Sequence, residues 1–408
     1  MLKRYLASSW APWVFLVLTA VAHVLVTLAG ADPFKMVDLK VYVDGAHHLF
    51  DGTLYDFFSE PLHLPFTYPP FSALLFGLIS WLPWTLLRIL WQAASFGAVA
   101  LMIHATLRLL GRTGKGAPNP MQNVRGIVIT GTALAIWLEP VRTTFNYGQI
   151  NLFLAALLLA GAASAKEWFA GGSVGIAAGI KLVPAITGLY YLLQRRWTAV
   201  IAAFAAFAVT VVIALIFLPS ETVRFYTELM LDPGRTGPVW SAINQSWRGT
   251  LARLAGHDVS TGWVIASLVT VVIGVAATWW SLRAGDRTGS FLAVQFIGLL
   301  VSPISWSHHW VWVLPLLLWA FFGPHRRRPL AWLLAAGWLA ATCSYVVSIL
   351  IAWQYEGEPA SRPGLHSWLG TAYVLMGMLT LVVLAVLNRR PLPLQDGETL
   401  SSRPAATA

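Results

Sequence analysis

Long apolar runs, each closed by a short basic or polar stretch, recur along almost the whole 408-residue chain. Runs at 10–28, 124–140, 149–165, 197–218, 259–282, 290–304, 309–323, 329–352 and 366–388 carry few charges, and several approach the ~20 residues a helix needs to cross a bilayer. They predict membrane-spanning helices, because only helices or closed barrels satisfy their backbone in lipid. Two regions break the rhythm. Residues 69–110 are interrupted by Pro83 and are too few for three spans, so they predict a short dipping segment followed by one crossing. Residues 171–193 carry Lys181 and Pro184 in their middle and predict two short helices meeting there. The whole pattern predicts an all-α polytopic membrane protein of about 10–12 transmembrane helices, without a visible internal repeat.

Composition strengthens that class: 57% hydrophobic and 11% charged residues, with a mean hydropathy of +0.66, exclude a soluble globule. The net charge of +10 would suggest nucleic acid in a soluble protein. Here the basic residues sit in short connections (Arg108 to Arg125, Arg195 and Arg196, Arg283 and Arg287, Arg326 to Arg328, Arg389 and Arg390) and report orientation. They place those connections, and the N-terminus with Lys3 and Arg4, in the cytoplasm. The first run exceeds the ~7 to 15 residues of a signal-peptide core, so it predicts an uncleaved span. Residues 1–390 form one transmembrane domain on this reading, and 391–408 a disordered cytoplasmic tail. Cys343 stands alone, so no disulfide framework exists. The 21 Trp suit interfacial belts and can stack on sugars.

The topology sends the polar connections to the opposite, extracytoplasmic side: the juxtamembrane loop 31–68, the segment 139–151, the long loop 219–258, and 302–309. Asp38 lies just past the first span, where a carboxylate can reach both headgroups and water; a plain helix-capping role is the competing reading. Lys181 is a cation in an apolar segment, costly unless it meets an anion or water, although it could also snorkel. His308 and His309 cannot both face one point on a helix, so at most one is central. Arg142 and Arg248 suit phosphate, with ordinary solvation as the alternative. Asn146, Gln149, Asn151, Asn244 and Gln245 carry amides of the kind that bind sugar hydroxyls, although Asn146 equally suits a helix cap and Asn244 begins a weak sequon. No His pair at metal spacing has a third acidic ligand, so no zinc site is expected.

The segments VDLKVYVDGA, LPFTYPPF, EPVRTTFNYGQIN, GIKLVPAI, NQSWRG and SPISWSHHWVW follow in this order across residues 36–312. Together they resemble the actinobacterial polyprenyl-phosphomannose-dependent α-1,2-mannosyltransferases of the glycosyltransferase-C superfamily, enzymes of phosphatidylinositol mannoside, lipomannan and lipoarabinomannan assembly. The resemblance implies a multi-pass plasma-membrane enzyme acting on the extracytoplasmic face. It also implies a polyprenyl-phosphate-mannose donor, a mannosylated glycolipid acceptor, and Asp38 as general base. Lys181, His308, His309 and Arg248 are then candidates for the donor phosphate, and Tyr68, Arg142, Asn146, Gln149, Asn151, Asn244 and Gln245 for the acceptor or sugars. The superfamily's Asp-X-Asp pair is replaced near Asp38 by Asp-Leu-Lys, so no metal or other cofactor is expected.

Elementary chemistry agrees with one base. The leaving group is a phosphate with a second pKa near ~6, which needs no general acid, whereas a glycosidase presents two carboxyls. Asp44, Asp51, Asp56 and Glu60 lie in the same loop, so spacing alone leaves a pair open. A secondary transporter or flippase is the alternative, since broken helices and an intramembrane lysine are also transporter features. The gathering of motifs on one side, with no repeat, argues against it.

Overall fold

The computed structural model describes residues 2–29, 36–114, 117, 120–355 and 364–390. The first five positions of the 31–68 loop and the tail 391–408, expected to be disordered, lie outside the described residues. The chain is an all-α polytopic membrane protein. A short helix α1 (Leu2–Ala7) precedes α2 (Ala11–Ala29), and the juxtamembrane loop then folds as α3 (Val37–His47) and a hairpin of β1 (Phe58–Ser59) and β2 (Leu64–Pro65). As the break at Pro83 predicts, α4 (Pro70–Gly77) is short and α5 (Trp84–Leu109) is long.

The middle of the chain departs from straight crossings. The run 124–140 splits into α6 (Val124–Ala135) and α7 (Glu139–Tyr147), bent by 75°. The next helix, α8 (Asn151–Ala162), is short. Then α9 (Glu167–Ile180) ends at Lys181, whose backbone is extended (φ −151°, ψ 125°), before a 3-10 turn at Val183–Thr187 and α10 (Gly188–Leu193). Lys181 and Pro184 therefore mark the break between short helices that the sequence predicts.

Helix α11 (Trp197–Phe217) leads into α12 (Pro219–Thr227) and α13 (Trp247–Ala255), which occupy much of the long 219–258 loop. Helices α14 (Ser260–Ala284) and α15 (Arg287–Val301) follow, then a 3-10 turn at Ser307–Trp312 and α16 (Val313–Phe322). The chain continues with α17 (Pro329–Cys343), α18 (Val346–Tyr355), α19 (Leu365–Leu369) and α20 (Ala372–Asn388).

Among the described residues, five helices are long and apolar enough to span: Trp84–Leu109, Trp197–Phe217, Ser260–Ala284, Pro329–Gln354 and Leu365–Asn388. The α6–α7 pair is a bent sixth, and five shorter apolar helices make up the remainder. The helices of the expected set of about 10–12 are unequal in length, for a physical reason. Helix α11 turns Ile201, Phe204, Val212 and Ile216 outward, as lipid contact requires, whereas α15 is buried along Phe291–Ile297 and α16 along Val313–Ala320. A helix enclosed by protein need not match the bilayer's thickness, because its neighbours replace lipid around it. Helix α9 packs on α11 through Gly171, Gly175 and Gly179, where a Cβ would collide with Ala199, Ala203 and Thr210.

Candidate active site

Five segments meet at one place, and two tight approaches hold three of them together. Gly148, at φ 69° in the turn between α7 and α8, leaves room for Leu39 Cβ and Met36 Sδ, at 2.6 and 2.9 Å from where its Cβ would stand. The Met36 backbone N–H donates to the Asn146 carbonyl at 2.6 Å, closing the same contact. This seats the turn on α3 and puts Gln149 beside Asp38, which lies in the first turn of α3. The aromatic packing of Phe66 and Tyr68 against α3, close enough that a Cβ on Gly45 would overlap the Phe66 ring, adds the third.

Lys181 sits at the centre of the hydrogen bonds. Its Nζ donates to Asn151 Oδ1 at 2.9 Å, to His309 Nε2 at 3.1 Å and to Gln149 Oε1 at 3.3 Å, and lies 5.4 Å from the centroid of the Tyr68 ring. Because His309 accepts at Nε2, its own proton sits on Nδ1, which has no protein partner among the described residues. His308 is displaced from this contact. Its ring packs edge-on against Tyr147 and His309, with both nitrogens unpartnered among the described residues, while its carbonyl accepts from Asn151 Nδ2 at 3.0 Å and Thr144 Oγ1 at 3.2 Å. Asn151 thus ties the His308–His309 turn to Lys181.

Asp38 is partly buried and hydrogen-bonds to the Gln149 side chain. Burial pushes its carboxyl up from 3.8 to about 6, against the opposing pull of Lys181 and the Gln149 hydrogen bond. Among the described residues no ion pair within 4.0 Å links Asp38 to Lys181. Gln149 stands between the two charges. A base poised near neutrality, next to a fixed cation and an open N–H donor, is an arrangement suited to deprotonating a hydroxyl while anchoring an anion. From Lys181, Asn151 and His309 a partly open cleft runs along Leu154, Leu158, Ile186, Leu299 and Trp312. One end is polar and the remainder largely apolar.

The other candidates have different engagements. Arg248 is bound by Asp258, with Nη2 to Oδ2 at 2.5 Å, and lies over Trp263, so its charge is already paired. Arg142 lies over the rings of Trp137 and Tyr345. The Asn146 Oδ1 accepts from Thr27 at 3.4 Å. Asn244 and Gln245 are fully buried and serve the backbone: Asn244 Oδ1 accepts from Ser305 N at 2.9 Å, and Gln245 Nε2 donates to Ala242 O and Gly370 O. Together with Gln245 N to Ser305 O at 2.7 Å and Ser307 N to Ile243 O at 2.8 Å, they form a scaffold for the 302–309 segment. Asp44 pairs with Lys40 and Ser59, and Asp56 with Arg224. One site residue escaped the motif reading: Tyr42, buried one turn beyond Asp38, whose hydroxyl meets Gln149 and Tyr68. Its spacing of four from Asp38 was the available signal. No group of three or more His, Cys, Asp or Glu suited to a metal occurs among the described residues.

A multi-pass helical membrane protein that sets a carboxylate, through one glutamine, beside a lysine lining an apolar cleft is the class that fold and site define. The chain belongs to glycosyltransferase family 87, whose model matches residues 66–303. It is similar to the polyprenol-phosphate-mannose-dependent α-(1-2)-phosphatidylinositol pentamannoside mannosyltransferase of Mycobacterium tuberculosis, at 38% identity over 92% of this chain and 86% of the relative. The protein of the same name in Mycolicibacterium smegmatis is 37% identical over 90% of this chain and 89% of its own. A phosphatidylinositol mannoside mannosyltransferase of M. tuberculosis is 32% identical over 95% and 93%. No solved structure matches the chain.

Proposed function

We propose that this membrane glycosyltransferase moves mannose from polyprenyl-phosphate-mannose to a phosphatidylinositol mannoside in α-1,2 linkage, with Asp38 as general base. The single observation that carries the mechanism is the Asp38–Gln149–Lys181 relay, whose lysine lines the apolar cleft. The acceptor's 2-hydroxyl gives its proton to Asp38 as its oxygen attacks the anomeric carbon. The bond from that carbon to the phosphate oxygen breaks, and the electron pair leaves with polyprenyl phosphate. Lys181 and the free Nδ1–H of His309 hold the departing oxygens, and the cleft takes the start of the polyprenyl chain. Direct displacement inverts the centre, so a β-linked donor yields an α-linked product.

The pentamannoside is the favoured acceptor, because the relatives named for it share 38% and 37% identity, against 32% and 30% for those named for phosphatidylinositol mannoside without that length. The reaction takes place at the extracytoplasmic face of the plasma membrane and uses no metal. Purified protein is incubated with polyprenyl-phosphate-mannose and phosphatidylinositol pentamannoside, with and without chelator, and the product is analysed by mass and linkage. One added α-1,2 mannose in both arms is expected. Substrate flux in proteoliposomes without sugar transfer would replace the proposal with transport.

A further inference from the structure

The orientation of the Gln149 amide decides which charge of the site faces which dipole. Two donors hold its Oε1: the Tyr42 hydroxyl at 3.0 Å and Lys181 Nζ at 3.3 Å. Tyr42 is placed for this, since its own oxygen accepts the Ile150 backbone N–H at 3.4 Å and, of the two acceptors its single proton can reach, Gln149 Oε1 at 3.0 Å is nearer than the Tyr68 oxygen at 3.2 Å. Its ring is wholly buried, stacked on Phe76 at 4.1 Å and edge-on to Tyr68 at 5.0 Å. With Oε1 so held, Nε2 donates to Tyr68 OH at 3.2 Å and turns its N–H side to Asp38. The reversed amide would set a carbonyl oxygen against the carboxylate.

Lys181 cannot keep this role through turnover. An ammonium has three protons, and here Asn151, His309 and Gln149 take all three. On the reading proposed above, on which this inference rests, a donor phosphate must claim at least one of them. The Gln149 contact is the longest and the first to yield.

We propose that Tyr42 is a positioning residue, which keeps the Gln149 amide nitrogen on Asp38 while the donor phosphate occupies Lys181. The groups facing Asp38 are Tyr42 from its own helix, Tyr68 from the segment before α4, Gln149 from the α7–α8 turn and Lys181 after α9, with His309 and His308 behind Lys181. Lys40, on the same helix as Asp38, is paired with Asp44.

The test is Tyr42→Phe, which keeps the ring and its stacking and removes the proton. The pH profile of kcat reports the substrate complex and that of kcat/KM the free enzyme. The acid limb of kcat should move up by about half a pH unit or more. That of kcat/KM should move less, because Lys181 still holds the amide in the free enzyme. A fluorinated tyrosine at position 42, a stronger donor of the same shape, should not reproduce the upward shift. Phe76→Leu, which disturbs the stacking alone, should leave both limbs in place.

A wild-type kcat limb in Tyr42→Phe, or an equal shift in Phe76→Leu, overturns the inference. If Tyr42→Phe does not fold, the fluorinated variant decides: an upward shift there overturns it, and an unchanged or lowered limb supports it. Asp38→Asn is assayed alongside. Near-wild-type transfer by that variant removes the base reading itself, whereas its inactivity combined with an unmoved Tyr42→Phe limb removes only the role of Tyr42.

Discussion

Asp38 and Lys181 are both costly to bury, and that cost is the first thing a mutant should report. On the proposed mechanism Asp38→Asn removes the base and keeps the shape, so transfer should fall by at least ~10²-fold while donor binding survives. Burial lifts the Asp38 carboxyl from 3.8 to about 6, so the wild-type kcat/KM should drop as pH falls through about 6, when the base becomes protonated. The stability sign is the opposite. A folded-state pKa above the unfolded one means that ionisation disfavours the fold as pH rises from about 4 to about 6, so Asp38→Asn should melt higher than wild type at pH 7 and no higher at pH 4. A melting point unchanged at pH 7 would argue against a desolvated carboxylate. Lys181→Met keeps the apolar stem and loses the charge, which should weaken donor use by about 1 to 3 kcal/mol, read as the change in kcat/KM for polyprenyl-phosphate-mannose. The His doublet shows how residue type and placement differ: only His309 reaches the lysine, because the 3-10 turn points the two rings at right angles, 85° between planes.

Elements carry these side chains to one point by being broken. Helix α7 starts at Glu139, a buried carboxylate that accepts from Ser348 N at 2.5 Å and Tyr373 OH at 2.7 Å, and this anchors the 75° bend against α18 and α20. Nine residues later Gly148 ends the same helix in a left-handed conformation against α3. Gly148→Ala adds a Cβ at a positive φ and within 2.6 Å of Leu39 Cβ, so it should cost about 1 to 2 kcal/mol of stability and push Gln149 off Asp38. The expected readout is a lowered thermal midpoint together with a lowered kcat; a fall in neither would show that the turn can shift without disturbing the relay. The amides of Asn244 and Gln245 work at this scale too, since they hold the backbone beneath the 302–309 segment.

At the scale of the whole molecule, lipid-facing helices surround a set of short, enclosed ones, and the polar cluster is built from the latter. The basic connections predict which side is cytoplasmic. In a background lacking Cys343, a cysteine at the exposed position of Glu60 should label from outside, and one at the exposed Arg327 only after the membrane is opened. Labelling of both from one side would invert or abolish the orientation drawn from charge. The outer helices should tolerate apolar exchange at Ile201 or Phe204, because lipid contacts there are non-directional.

Membrane class, helical fold, the breaks at Pro83 and at Lys181–Pro184, and the polar segments of the site were legible in the sequence by itself. Each is a local property: hydropathy over a window, or a residue whose backbone chemistry interrupts a helix wherever it stands. The uneven helix lengths, the bend at 136–138 and the sorting of candidates into a central set (Asp38, Tyr68, Gln149, Asn151, Lys181, His309) and a peripheral one (Arg142, Asn146, Arg248, Asn244, Gln245) were decided by tertiary structure alone. An arginine suited to phosphate reads the same in sequence whether or not an aspartate ten residues on has already claimed it, and a tyrosine between two valines reads as packing. Only packing shows that Arg248 is paired with Asp258 while the hydroxyl of Tyr42 stands over Gln149.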